Sequence, residues 1–242
     1  MSTKNVPYFQ DINLAAHSDL NNTAIYTDPK IMADDILSIS IFTIDPETTS
    51  LINQVAAMPA LGASSASTIG QQQITGYLVD KNGEVELAVI GKIKLIGLTT
   101  YEARELLRSK VREFYNEPSV QVRFANFKVT VLGEVARPAA YTLPNEKVSI
   151  LDAIGLAGDL TIYGKRENVL LIRDNNGKKQ FARFSLNSSE LFSSPFFYLK
   201  QNDVIYIEPN KARVAANNAA RSQTFAILGS AISVLIVLIT RL

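Results

Sequence analysis

The stretch at residues 129–142, VTVLGEVARPAAYT, decides the reading of this chain. Val129, Thr130, Val131 and Leu132 form a β-branched apolar run, which reads as a strand. Residues 133–138 carry Gly133 and Pro138 and read as a turn, after which Tyr141 and Thr142 resume the sheet. Downstream, Ile150, Leu151, Ile154 and Leu156 recur at helical spacing, closed by Gly158. Residues 168–173 read as a strand, Asp174-Asn175-Asn176-Gly177 as a turn, and residues 180–184 as the returning strand. A last strand covers 204–207. The order is ββ-α-βββ, a small mixed sheet crossed by one helix and compatible with a β-grasp.

Working upstream, Asp34-Asp35 precedes Ile36, Leu37, Ile39, Ile41 and Phe42, a β-rich run stopped by Asp45-Pro46. The acidic pair reads as turn chemistry, not as an acid–base dyad. Residues 48–79 carry no charge. Their small, polar middle reads as a long insertion or loop, about 48–75; a sharper reading makes it a neutral surface facing sugar. Tyr77-Leu78-Val79 then meets Asn82-Gly83, whose spacing predicts a type I′ hairpin returning through residues 84–87. Glu84 and Glu86 lie two apart on one strand face, which reads as solvated. A second β run covers 89–96. Residues 99–115 are predicted as a helix. Thr99 is its N-cap, Glu102 completes a capping box, and Ala103, Leu106, Leu107, Val111 and Phe114 form its apolar stripe. Val120, Val122 and Phe124 then alternate along one strand face.

Composition narrows the function. The chain has 242 residues, room for one or two domains. Its 24 basic and 23 acidic residues nearly cancel, so no nucleic-acid partner is expected. With 0 cysteines and 1 histidine, thiolate catalysis and multi-histidine metal centres are excluded within the chain. His17 reads as a loop histidine. Phosphate-loop, dinucleotide and nucleophile-elbow motifs are absent from the sequence. No enzyme activity, cofactor or metal site is expected.

The two ends differ sharply. The first residues, MSTKNVPYFQDINL, have no basic stretch followed by an apolar one, so they carry no secretory signal. Residues 222–240 carry no charge. As a helix they would measure about 28 Å, close to the roughly 30 Å of a hydrocarbon core. Small residues fall four apart at Ala226 and Ser230, and at Gly229 and Ser233, the spacing that lets helices pack closely in lipid. Lys211, Arg213 and Arg221 flank the segment on one side and Arg241 on the other. A buried core helix or a simple tail anchor are the plainer readings.

The body resembles the outer-membrane polysaccharide export (Wza-type, OPX) family over residues 31–209. The resemblance rests on an ordered series. DDILSISIF at 34–42 is similar to the family's opening strand, GYLVDKNGEVEL at 76–87 to its hairpin, and GKIKLIGLT at 91–99, with the helix up to Pro118, to its helix and exit strand. VLGEVARPAAY at 131–141 is similar to the opening of a soluble-ligand-binding β-grasp (SLBB) domain. Ala157-Gly158-Asp159 and LKQNDVIYI at 199–207 resemble its middle and close. Ala88, Ala139 and Asp159 depart from the usual proline and glycines, and only one SLBB-like unit is visible.

The resemblance implies an α+β fold in four parts: an N-terminal extended segment (1–30), a β-rich polysaccharide export domain (31–126), an SLBB β-grasp domain (127–210) and a C-terminal helix (211–242). That last helix would span the membrane over about 222–240. It further implies a homo-oligomeric ring, of eight subunits, in the outer membrane, with the soluble body in the periplasm. Capsular or exopolysaccharide would pass through it, an inner-membrane polysaccharide co-polymerase would be its partner, and outer-membrane lipid would surround its helices. Family members are lipoproteins, so a signal peptide and a lipidated cysteine are expected ahead of this sequence. Two alternatives stay open: a membrane-anchored glycan- or protein-binding module without a pore, and a polysaccharide-cleaving enzyme built on a carboxylate pair such as Glu84 and Glu86.

Overall fold

Apolar side chains at every second position build β1 (Ile36–Phe42), and Leu37, Ile39 and Ile41 are buried. This alternation is what a sheet with one covered face requires. In the computed structural model, which describes residues 7–12, 23–56, 75–88, 90–175, 177–213 and 215, the chain is mixed α/β with three sheets and few helices. After β1 come α1 (Pro46–Ala56), β2 (Tyr77–Leu78), β3 (Glu84–Leu87), β4 (Gly91–Lys94), α2 (Thr100–Val111) and β5 (Ser119–Phe124).

β1 is the centre of an antiparallel sheet in the order β2-β1-β5. Its register pairs Leu37 with Phe124, Ile39 with Val122 and Ile41 with Val120, so both strands turn their apolar residues to one face. α2 packs against β5 and buries Ala103, Leu107 and Val111. Its capping box forms as expected: Thr99 Oγ1 accepts from the Glu102 N–H at 3.2 Å, and the Glu102 carboxylate accepts from the Thr99 N–H at 2.8 Å. The helix ends at Val111, earlier than the predicted 115, and Phe114 stands exposed beyond it.

Two local readings are corrected. Residues 46–56, expected to lie largely in a loop, are helical. Asp45 does more than stop β1: its carboxylate accepts the N–H groups of Glu47 and Thr48 at 3.2 and 3.0 Å, and Pro46 opens the helix. An acidic N-cap with proline at the first helical position is a start signal. The rest of the charge-free segment, residues 57–74, lies outside the described residues.

The second correction concerns Asn82-Gly83. The turn forms, with the Gly83 N–H donating to the Asp80 carbonyl at 2.9 Å. Only Gly83 has positive φ, however; Asn82 does not, so the turn is not type I′. β3 leaves the turn and pairs with β4, and residues 77–78 pair with β1. A Cβ on Gly83 would meet the Ile96 side chain at 2.2 Å, so the side chain is excluded by packing as well as by φ.

The second unit is β6 (Lys128–Gly133), β7 (Ala139–Thr142), α3 (Ile150–Leu156), β8 (Gly164–Asn175), β9 (Lys178–Phe184) and β10 (Val204–Pro209). Its five strands lie in the order β7-β6-β10-β8-β9. β6 and β10 run parallel at the centre; the remaining pairs are antiparallel. Two hairpins joined by a helix, with the last strand inserted between them, are the β-grasp expected from the sequence. At Gly133 a Cβ would stand 1.9 Å from the Ile207 carbonyl oxygen, so the two central strands close only over glycine. α3 carries a capping box from Ser149 and Asp152, and buries Ile150, Ala153 and Ile154; Leu156 is exposed.

Among the described residues, no helix is long and apolar enough to cross a membrane. The expected span at 222–240, with Ala226, Gly229, Ser230, Ser233, Arg221 and Arg241, lies outside the described residues, as does His17.

Candidate functional site

Two turns of the same construction meet where the first sheet faces the β-grasp. In each, a non-glycine residue with positive φ precedes an aspartate that opens a strand: Asp34 (φ 69) before Asp35 and β1, and Asn202 (φ 64) before Asp203 and β10. Asp and Asn tolerate this conformation better than other side chains do. In each, the aspartate carboxylate accepts the N–H three residues back, from Met32 and from Lys200, both at 2.7 Å.

The partners then diverge. Asp203 is fully buried and receives Arg173, whose Nε lies 3.0 Å from Oδ1 and whose Nη2 lies 2.6 Å from Oδ2. Arg173 spends a further N–H on the Tyr198 carbonyl at 2.9 Å and lies over the Phe196 ring. Asp35, 4% exposed, receives besides the Met32 N–H a neutral amide side chain: Gln201 Nε2 donates to Oδ1 at 2.7 Å. The same Nε2 lies 3.2 Å from Asn126 Oδ1, which also accepts the Ile36 N–H at 3.0 Å. Gln201 is two residues from Asp203, so the second turn reaches across to hold the first. Burial pushes the Asp35 carboxyl up to about 6; the Met32 N–H opposes this and the neighbouring Asp34 charge adds to it. Gln201 Oε1 is buried with no partner among the described residues.

A second tie comes from residues 7–12, which lie along the 3-10 turn Ser189–Ser193. The Phe9 and Gln10 N–H groups donate to the carbonyls of Leu186 and Asn187 at 3.1 and 2.8 Å. The Asp11 carboxylate accepts the Ser189 N–H at 2.8 Å, and the Phe9 ring packs on Phe192 with centroids 4.9 Å apart. The Tyr8 hydroxyl donates to Asp159, the residue standing in left-handed conformation where a glycine was expected. Burial, and then that hydrogen bond, push the Tyr8 phenol well above its ordinary value.

The residues singled out from sequence fall as follows. Glu84 and Glu86 do share a face, and each stands opposite a lysine, Lys94 and Lys92. Opposite-charge neighbours across a strand pair are a surface ladder, on which Glu86 is exposed and Glu84 half-buried. Lys211 is exposed. Arg213 Nε pairs with Glu134 Oε1 at 3.1 Å and its guanidinium lies 5.5 Å from the Tyr163 ring centroid. The Asn210 side chain caps this last turn, accepting the Arg213 N–H at 3.1 Å. The chain thus leaves the β-grasp tied at Arg213.

The geometry is that of two modules joined by buried polar contacts, and comparison with known proteins agrees. A family model described as polysaccharide biosynthesis/export protein matches residues 24–125, and one described as SLBB domain matches residues 128–181. The second match ends before β10, so the strand that completes the sheet lies beyond it. The EPS I polysaccharide export outer membrane protein EpsA of Ralstonia nicotianae is 26% identical over 160 residues, covering 63% of this chain and 39% of that protein. The capsule polysaccharide export outer membrane protein CtrA of Neisseria meningitidis is 28% identical over 146 residues, covering 58% of this chain and 35% of that protein. The chain thus spans little more than a third of the curated relatives it matches. On the two modules, their order and these relatives, the chain belongs to the outer-membrane polysaccharide export family, with one SLBB domain following the export domain.

Proposed function

We propose that this chain is a subunit of an outer-membrane translocon that exports capsular or exopolysaccharide. The observation that carries the reading is the tandem of an export domain and an SLBB domain, together with similarity to proteins whose names state polysaccharide export at the outer membrane. In this reading, eight copies form a ring whose soluble domains, 31–126 and 127–210, enclose a periplasmic cavity. Residues 222–240 cross the outer membrane as a helical barrel, with Ala226, Gly229, Ser230 and Ser233 packed helix on helix. Lys211, Arg213, Arg221 and Arg241 flank the span at the headgroups. The Arg213–Glu134 pair holds the last described turn on the β-grasp ahead of that span. An inner-membrane polysaccharide co-polymerase delivers the polymer. The chain performs no covalent chemistry, in keeping with Glu84 and Glu86 lying on a surface ladder.

The test is genetic. Deleting the coding sequence should remove polymer from the cell surface while polymer accumulates inside the cell envelope, and the full chain should restore export. Unchanged surface polymer in the deletion strain would contradict the reading.

A further inference from the structure

Among the described residues β5 is an outer strand of its sheet, and α2 lies beside it. The Ala125 N–H donates to the Ile36 carbonyl at 2.7 Å, which sets the alternation. In an antiparallel pair, bonded and non-bonded residues alternate, so Gln121 and Arg123 bond inward to β1 while Val122 and Phe124 direct their N–H groups to the outer edge. The Phe124 N–H is already used: it supports the Glu146 carboxylate, which also accepts the Thr100 hydroxyl at 3.1 Å. This edge therefore seats one carboxylate of the chain itself.

Two residues along is a second seat. An open cleft of about 230 Å³ is lined by Thr100, Tyr101, Arg104, Gln121, Val122 and Arg123. Tyr101 is 62% exposed, and the Arg104 guanidinium lies 4.6 Å from its ring centroid. Arg104 Nε meets Glu105 Oε1 at 3.2 Å, and Arg108 shares the same carboxylate at 4.0 Å. Arg123 has no ion pair or hydrogen bond from its side chain among the described residues; its charge is felt by Glu146. Of the two guanidiniums that line the cleft, Arg104 is paired with Glu105, while Arg123 stands beside an exposed ring and an edge N–H; the Glu146 carboxylate that feels it lies near Asp28 as well.

We propose that this cleft is a subsite for one acidic sugar residue, a uronate or another carboxylated sugar, of the polymer in transit. The inference rests on the export reading and names its substrate class. The sugar carboxylate meets Arg123 and the Val122 N–H, as the Glu146 carboxylate meets Phe124; guanidinium–carboxylate pairs are short and geometrically specific. The apolar face of the sugar ring lies on Tyr101, and the Gln121 amide reaches its hydroxyls. The volume falls below the roughly 300–1,000 Å³ of a drug-sized site, which limits occupancy to about one ring. An open site of this size binds weakly and releases, as a passage requires.

The experiment uses the full chain in detergent and two probes of equal length: a tetrasaccharide alternating glucuronate with N-acetylglucosamine, and neutral maltotetraose. Calorimetry should show binding of the acidic probe at least tenfold tighter than of the neutral one, weakened by salt. Arg123→Gln should cost about tenfold and Arg123→Lys less. Tyr101→Ala should weaken both probes. Because Arg123 and Tyr101 are exposed, the thermal midpoint should be unchanged. Equal affinity for the two probes, or full affinity in Arg123→Gln, would overturn the subsite. So would a ring that falls apart in Arg123→Gln without competition from the acidic probe, since the cleft would then seat a carboxylate of a neighbouring copy. These outcomes leave export standing if the full chain still restores surface polymer in the deletion strain. Unchanged surface polymer in that strain overturns the export reading itself.

Discussion

Asp35 and Asp203 sit in turns built alike, yet they are different electrostatic objects. Both are buried, both follow a residue of positive φ and both accept the N–H three residues back. Asp203 has a guanidinium, and Asp35 has a glutamine amide. Burial among neutral partners draws the Asp35 carboxyl toward its protonated form. The turn fixes the backbone in both cases. The partner differs, and at Asp35 the joint responds to pH.

The largest effect is expected from breaking the charged turn. Asp203→Ala leaves Arg173 buried without its counter-ion, and a broken buried pair costs about 3–5 kcal/mol. Urea unfolding at pH 7 should show this loss, and no comparable loss should appear for Asp35→Asn.

The second prediction concerns pH. The Asp35 carboxyl is raised from 3.8 to about 6, so the folded chain holds this proton more tightly than the unfolded chain. Its contribution is fully favourable below about pH 4 and is lost as the pH rises through 6. The total change is about 3 kcal/mol. Asp35→Asn should flatten this part of the stability–pH curve, because an amide does not titrate there. An unchanged curve in Asp35→Asn would mean that the two turns are electrostatically alike.

A smaller effect should follow at the reach between the turns. Gln201→Ala removes the hydrogen bond to Asp35 and leaves that carboxyl less satisfied, at a cost of about 1–2 kcal/mol. Hydrogen exchange should loosen at Ile36, whose N–H bonds Asn126 in the same cluster. The smallest is remote from both turns: Thr99→Ala should lower stability by about 1 kcal/mol through the α2 cap and leave the part of the pH curve that belongs to Asp35 unchanged.

Alternation and capping made much of the fold legible. Leu37, Ile39 and Ile41, with Val120, Val122 and Phe124, announce their face directly, and Thr99 with Glu102 marks the start of α2. α1 was missed because Asp45-Pro46 reads equally as the end of a strand and the start of a helix, and the helix runs into a long segment without charge. The Asn82-Gly83 hairpin failed on a dihedral angle that residue identity does not fix. The joint was illegible for a different reason. Asp35 and Gln201 lie 166 positions apart and Arg173 and Asp203 lie 30 apart, so no local period connects them. One signal was available: Asp34-Asp35-Ile36-Leu37 and Asn202-Asp203-Val204-Ile205 repeat a pattern of turn former, aspartate and β-branched residue. The cleft at Arg123 was hidden as well, because alternation marks Gln121 and Arg123 only as outward-facing.

The claim that this chain works as a closed ring is tested most directly by particle mass and symmetry of the detergent-purified full chain, with and without residues 211–242. The account predicts a closed ring of about eight subunits that loosens when the tail is removed. A monomer or dimer in both forms would contradict it and would favour an anchored binding module without a pore.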